Sequence, residues 1–332
     1  MQTEAKGERL GQKGALAFFS DYVIVLPIIL LTIVWTFVAP NFMTLSNWMN
    51  ILRQVSMIAI LAAGMFFVMV CGFIDLGVGS VVGLAGCIFA KLMVSYGWSP
   101  ATAALAAVAV GIFCDVFASI LITVFDIPGF ISTLAMMYIA RGLCYVVTNS
   151  YPISGIPDSI GWIGRGYLNI GGTDLIPWPV IFMVIVFVIV TFVASKTKLG
   201  RFIYAVGGNA EAAYLSGINA KRIQRLAFLI IGLAAGLVSI ILVSRLSSGQ
   251  PTGGNGWEFK AVIACVMGGV SLTGGKGKPA GVALGAVFVG ILENGMTLLN
   301  INSYYQQIVQ GVVLVFAIGF DVWKTKRQAA SK

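Results

Sequence analysis

Histidine is absent from the chain. Its absence excludes imidazole acid–base catalysis, histidine metal sites and histidine proton relays. Charge is also scarce. Asp, Glu, Lys and Arg make up 10% of the 332 residues, where soluble domains carry about one-quarter. A chain so short of charge has lipid as the solvent for most of its surface. No Cys-x-x-Cys pair occurs. Cys71, Cys87, Cys114, Cys144 and Cys265 all lie in apolar runs and read as small buried hydrophobes, not as disulfides or metal ligands. A phosphate loop is missing too. In MGGVSLTGGKGKPAG (Met267–Gly281), Val270 stands where the first glycine of G-x-x-x-x-G-K-[ST] belongs, and Gly277 follows Lys276. ATP hydrolysis by this chain is therefore not expected.

What is present is apolar: 58% hydrophobic residues and a mean hydropathy of +0.95. Spanning hydrocarbon as a helix takes about 20 such residues. Ten candidate spans are read: Tyr22–Val38, Val55–Cys71, Val81–Val94, Ala101–Val124, Phe130–Val147, Pro177–Ala194, Leu226–Val243, Ala261–Leu272, Gly281–Leu298 and Ile308–Val322. The expected fold is an all-α polytopic membrane protein with one transmembrane domain over residues 22–323. A segment 1–21 precedes it and a tail 324–332 follows. The run after Lys6, Arg9 and Lys13 is too long for a signal-peptide core and reads as an uncleaved first span.

The net charge of +9 suggests nucleic acid only in a soluble protein. Here the cations lie between the apolar runs, where they set orientation. With a cytoplasmic amino terminus and ten crossings, fifteen of the 21 cations fall inside. Arg53, Arg165, Arg245 and Lys260 fall outside, and Lys91 and Arg141 lie within spans. This positive-inside bias predicts that both termini and the basic stretch 195–225 are cytoplasmic.

That basic stretch contains GGNAEAAYLSGINAKR (Gly207–Arg222). Asn209 is a suitable N-cap, Glu211 falls in the first turn, Ala212 and Ala213 favour helix, and Gly217 is a natural stop. A two-turn helix alone is marginal in water, so it needs something to lie against. Two Gly-rich words, CGFIDLGVGS (Cys71–Ser80) and Met267–Gly281, interrupt apolar sequence. Irregular backbone in lipid survives only where protein or a water-filled cavity satisfies it. The two words predict an internal inverted repeat around a transport path. The path residues expected are Asp75, Gly79, Ser80, Thr133, Arg141, Asn149, Ser271 and Gly275. The external loop Thr148–Ile176, with Tyr151, Trp162 and Tyr167, offers an aromatic anchor or a docking surface.

EAAYLSGI resembles the EAA-type coupling loop of ABC importer permeases. GFIDLGVGS, GGNAEAAYLSGI, RLSSGQP and GGVSLTGGKG occur in the same order as in the bacterial monosaccharide permeases of the ribose, arabinose, galactose and xylose group. The resemblance runs from about Pro40 to Asp321. The chain departs from it at Phe73 and at Gly77, where the family's word has Ser. The resemblance implies a bacterial inner-membrane subunit that carries no cofactor, with ATP and Mg in a separate ATP-binding subunit. It also implies a periplasmic sugar-binding protein and a second permease chain, as a homodimer within membrane lipid. Asn209, Glu211, Ala212, Ala213 and Gly217 would then couple to the ATPase. The rival reading is an ion-coupled secondary sugar transporter. It would use intramembrane charges, for which Asp75, Asp115, Arg141 and Glu293 are available.

The topology is tested with single cysteines at Lys198, Ser154 and Gln328 in a cysteine-free background. Reagent outside intact cells is expected to label only Ser154→Cys. Labelling of the other two with Ser154→Cys silent would invert the assignment.

Overall fold

The computed structural model describes residues 24–171 and 173–330. The segment 1–21, the start of the first expected span and Lys332 lie outside the described residues. The helices are α1 (Val25–Val38), α2 (Leu45–Val70), α3 (Val78–Tyr96), α4 (Pro100–Thr123), α5 (Gly129–Thr148), α6 (Gly161–Arg165), α7 (Trp178–Lys196), α8 (Lys198–Gly208), α9 (Ala210–Leu215), α10 (Ala220–Leu246), α11 (Trp257–Met267), α12 (Pro279–Leu298) and α13 (Ser303–Ala330). Two short antiparallel pairs accompany them. β1 (Ile153–Ser154) pairs with β4 (Ser248–Gly249), and β2 (Tyr167–Ile170) with β3 (Thr173–Pro177).

Among the described residues seven helices are long and apolar enough to cross a membrane: α2, α3, α4, α5, α7, α10 and α12. The chain is a multi-pass, helical membrane protein. Other expected spans differ in extent. The first is a helix of 14 residues, and the last lies within the longer α13. The expected span Ala261–Leu272 is α11, an 11-residue helix that begins earlier and stops at Gly268–Gly269. At 1.5 Å per residue it is roughly 16 Å long, about half the hydrocarbon thickness.

Helices α2 and α10 form the buried centre, and α7 lies at the periphery with Val188, Ile189 and Phe192 exposed. Small residues let α10 approach α4 backbone to backbone. A Cβ at Gly111 would lie 2.4 Å from the Gly232 carbonyl oxygen, and one at Gly236 would lie 2.5 Å from Val108 Cα. Such contacts replace the hydrophobic drive that lipid does not supply.

Each of the two central helices is followed by irregular backbone and then another helix. After α2 come residues 71–77 and α3; after α10 come residues 247–256 and α11. The Asp75 carboxylate accepts from the Gly77 amide at 2.7 Å, and Thr133 Oγ1 donates to the Ile74 carbonyl at 3.3 Å. The second stretch runs along α3, where Gly79 and Gly83 leave room for it, while Gly86 lets α10 approach at Val243. A Cβ at Gly79 would meet the Gly254 carbonyl at 2.4 Å, and one at Gly83 the Gly253 carbonyl at 2.6 Å. Arg141 Nη1 donates to the carbonyls of Pro251 (2.7 Å) and Gly253 (3.0 Å). Cys87 Sγ donates to the Gln250 carbonyl at 3.5 Å. The arginine holds backbone, not the carboxylate that a charged residue within a span suggests.

Removing Arg141 therefore leaves two carbonyls of an inward-running segment without their donor. Arg141→Met is expected to lower stability by about 3 kcal/mol, the range for charged hydrogen bonds plus orphaned acceptors. Arg141→Lys should recover part of it. Thermal unfolding of the purified chain in detergent measures both, and unchanged midpoints would refute the clamp.

Candidate functional site

The basic stretch folds into two helices joined at Asn209. Thr197 Oγ1 accepts from the Gly200 amide at 3.2 Å and starts α8, which buries Gly200, Ile203 and Val206. Asn209 Oδ1 accepts from the Ala212 amide at 2.9 Å and caps α9, with Glu211 exposed in its first turn. Gly217 (φ +82°) ends it, with its amide on the Tyr214 carbonyl and the Ile218 amide on that of Ala213. Only Ala213 of α9 is buried, whereas Tyr214 and Leu215 are 71% and 80% exposed. Asn219 then caps α10 through the Arg222 amide at 3.0 Å. Lys221 pairs with Asp126 at 3.1 Å, and Arg225 Nε donates to Thr123 Oγ1 at 2.8 Å. The loop is thereby fastened to the near ends of α4 and α10.

Its other fastening is a glycine junction. The Gly275 amide donates to the Val70 carbonyl, at the end of α2, at 2.8 Å. A Cβ at Gly207 would lie 1.6 Å from that same oxygen and 2.7 Å from the Gly275 nitrogen. Gly274 and Gly275 both have positive φ, +83° and +70°, which suits residues without a Cβ. Tyr204 Oη donates to the Gly277 carbonyl at 2.7 Å, and burial raises its phenol above the ordinary value, so it remains a donor. The strand of contacts Val70–Gly275–Gly207 lies two residues from the cap of α9. Three distant segments meet where only hydrogen side chains fit.

The expected path residues separate into three places. Ser271 and Gly275 belong to this junction; Ser271 Oγ bonds Thr273 Oγ1 at 2.9 Å. Asp75, Gly79, Ser80, Thr133 and Arg141 surround the two irregular stretches, with Asp75, Ser80 and Thr133 buried. Asn149 is the left-handed C-cap (φ +51°) at the far end of α5 and is exposed. Asp115 is fully buried beside Asp75. Glu293 is bound by Lys260 Nζ at 2.6 Å, Gln310 Nε2 at 2.8 Å and Gln54 Nε2 at 3.3 Å. Lys260, expected in an outside loop, instead sits in α11, because residues 247–256 first run inward along α3. Glu258, whose carboxylate lies over Gly79, was not singled out either. The signal for both was available: Trp257–Lys260 carries two charges directly before an apolar run.

The junction makes a paired prediction. Gly207→Ala forces the Val70 carbonyl aside and is expected to cost about 1–3 kcal/mol, as overpacking does. A Cβ at neighbouring Gly208 meets nothing within 4 Å. Gly208→Ala should be neutral or stabilise by up to about 1 kcal/mol through helix propensity. Equal unfolding midpoints for the two variants would remove the junction from the account.

Comparison with known proteins places this geometry in context. The family model described as "Branched-chain amino acid transport system / permease component" matches residues 47–318. The ribose import permease protein RbsC of Escherichia coli (strain K12) is 42% identical over 298 residues, covering 89% of this chain and 91% of that protein. RbsC of Bacillus subtilis (strain 168) is 38% identical over 323 residues, 97% of each chain. The xylose transport system permease protein XylH of Escherichia coli (strain K12) is 32% identical, covering 93% of each. No solved structure matches. The chain is a transport subunit and belongs to the family of transport-system permease components that this model describes.

Proposed function

We propose that this chain is the membrane-spanning subunit of an ATP-driven ABC importer that moves a monosaccharide, a pentose or hexose, across the bacterial inner membrane. The observation that carries the mechanism is α9. It is a capped, two-turn helix with one buried residue and an exposed Tyr214–Leu215 tip, and it is backed by the glycine junction. A helix this short is marginal by itself in water and needs surfaces to lie against, and its exposed tip is free to meet a partner. The partner is a separate ATP-binding subunit, which holds ATP and Mg, with Asn209, Glu211, Ala212, Ala213 and Gly217 forming the contact. The relatives' names, ribose import and xylose transport permeases, support the substrate class.

The rest of the assembly follows from the same reading. A periplasmic sugar-binding protein delivers substrate, and a second copy of the chain completes the path. The exposed polar positions Ser303 and Gln307 on α13 suit protein or water better than lipid. Ten crossings with cytoplasmic termini remain our topology. The inverted repeat is assigned differently from the Gly-rich words: residues 71–77 after α2 correspond to 247–256 after α10, each a long central helix followed by irregular backbone. An ion-coupled mechanism is less well served, since Arg141 is committed to carbonyls and Glu293 to Lys260.

Glu211→Arg puts a cation at the start of α9, and Gly217→Pro demands a negative φ where the backbone has +82°. Both variants are expected to insert normally yet lose ATPase association and ATP-driven sugar uptake. Full ATP-dependent uptake by both would leave the loop as a topology signal only. Uptake that needs no ATPase and collapses with the proton gradient would establish the ion-coupled reading instead.

A further inference from the structure

The end of the bundle remote from the junction holds a polar cleft that the coupling scheme does not use. It opens between α2, α11, α12 and the inward segment 247–256, and encloses about 450 Å³. Gln54, Arg245 of α10, Gln250, Thr252, Trp257, Lys260 and Glu293 are among the residues that line it. A second cleft of about 450 Å³, walled by α13, adjoins it at Lys260. Small-ligand sites are typically about 300–1,000 Å³, with a few fixed polar groups among apolar ones.

Glu293 is the charged centre. Its side chain is 3% exposed, and donors from three other helices converge on it: Gln54 of α2, Lys260 of α11 and Gln310 of α13. Two consequences follow. Glu293 is already matched by Lys260, so a ligand bringing an ammonium finds no free carboxylate there, and Arg245 adds a guanidinium to the lining. The amide and ammonium heads are nevertheless held in place beside open space. An ammonium has three donors, and Glu293 takes one of them. Thr252 and Trp257 also line it, adding a hydroxyl and an aromatic ring. Hydrogen-bond donors and acceptors beside an aromatic ring suit a ring carrying many hydroxyls and an apolar C–H face. Position fits traffic as well. Glu293 lies five residues before the end of α12, about 8 Å along its axis. On the topology proposed above that end is external.

We propose that the cleft around the Lys260–Glu293 pair is a docking subsite for a neutral polyhydroxylated ring, a furanose or pyranose, on its inward path. The proposal rests on the importer reading and names the place where the substrate first meets the membrane domain.

The test reconstitutes the full complex, permease with its ATPase and binding protein, in proteoliposomes. It measures uptake of labelled D-ribose and D-xylose alongside ATP hydrolysis. Thr252→Val and Trp257→Leu change the lining without touching the ion pair, and Glu293→Gln changes its centre. Each lining variant is expected to raise the half-saturating sugar concentration about tenfold, the loss of roughly one hydrogen bond or contact. Each should also shift the ribose-to-xylose ratio while ATP hydrolysis stimulated by the binding protein persists. Wild-type half-saturation and sugar ratio in all three variants would overturn the subsite. So would equal losses of uptake and hydrolysis with an unchanged sugar ratio, because that pattern belongs to a structural role. Failure of the importer reading looks different: wild-type uptake itself would then not depend on ATP.

Discussion

Backbone that is not helical cannot remain at membrane depth without partners, and most of this molecule is arranged around that constraint. Two stretches, 71–77 and 247–256, break the helical run at the ends of α2 and α10. Carbonyls and amides in them are met by Thr133, Asp75, Cys87 and Arg141. Gly79 and Gly83 make the groove in which the second stretch lies. A side chain at either of these would push apart segments that satisfy one another. The polar residues in the apolar runs are thus largely consumed by backbone.

Glycine serves a second purpose at the opposite end. At Gly207, Gly274 and Gly275 it brings the basic loop against the last carbonyl of α2. Helix α2 is continuous from Leu45 to Val70 and buried along most of its length. Gln54, near its start, reaches Glu293 in the polar cleft, while Val70, at its end, is held in the junction. Sixteen residues separate them, about 24 Å of unbroken helix. One rigid element therefore connects the loop that contacts the outside of the bundle with the cleft at its far end. A displacement of α8 has little soft material to be absorbed in before it reaches α2, since close-packed interiors yield little.

Much of the site's local form was legible beforehand. The cap at Asn209, the acid at Glu211 and the stop at Gly217 depend on neighbours within a few residues, and local hydrogen bonding decides them. The partners of Arg141 and Glu293 were not legible, because they lie on other elements. Arg141 bonds carbonyls more than a hundred residues away, and Gln54 and Glu293 are 239 apart. The meeting of the two Gly-rich words was not legible either: Gly274 lies against Gly72, although about 200 residues separate them.

Composition and periodicity by themselves determined that the chain is helical and membrane-embedded. They also determined that six of its 21 cations gather in one central loop and that this loop holds a short capped helix. Those properties follow from hydropathy summed along the chain and from contacts within one turn. The tertiary structure decided which polar groups are spent on backbone and which face open space. It turned Arg141 into a carbonyl clamp and brought Lys260 inside the bundle. It also set three glycines against one another beneath the loop. Each of these depends on how segments far apart in the chain cross, and no pattern read along a single segment contains that information.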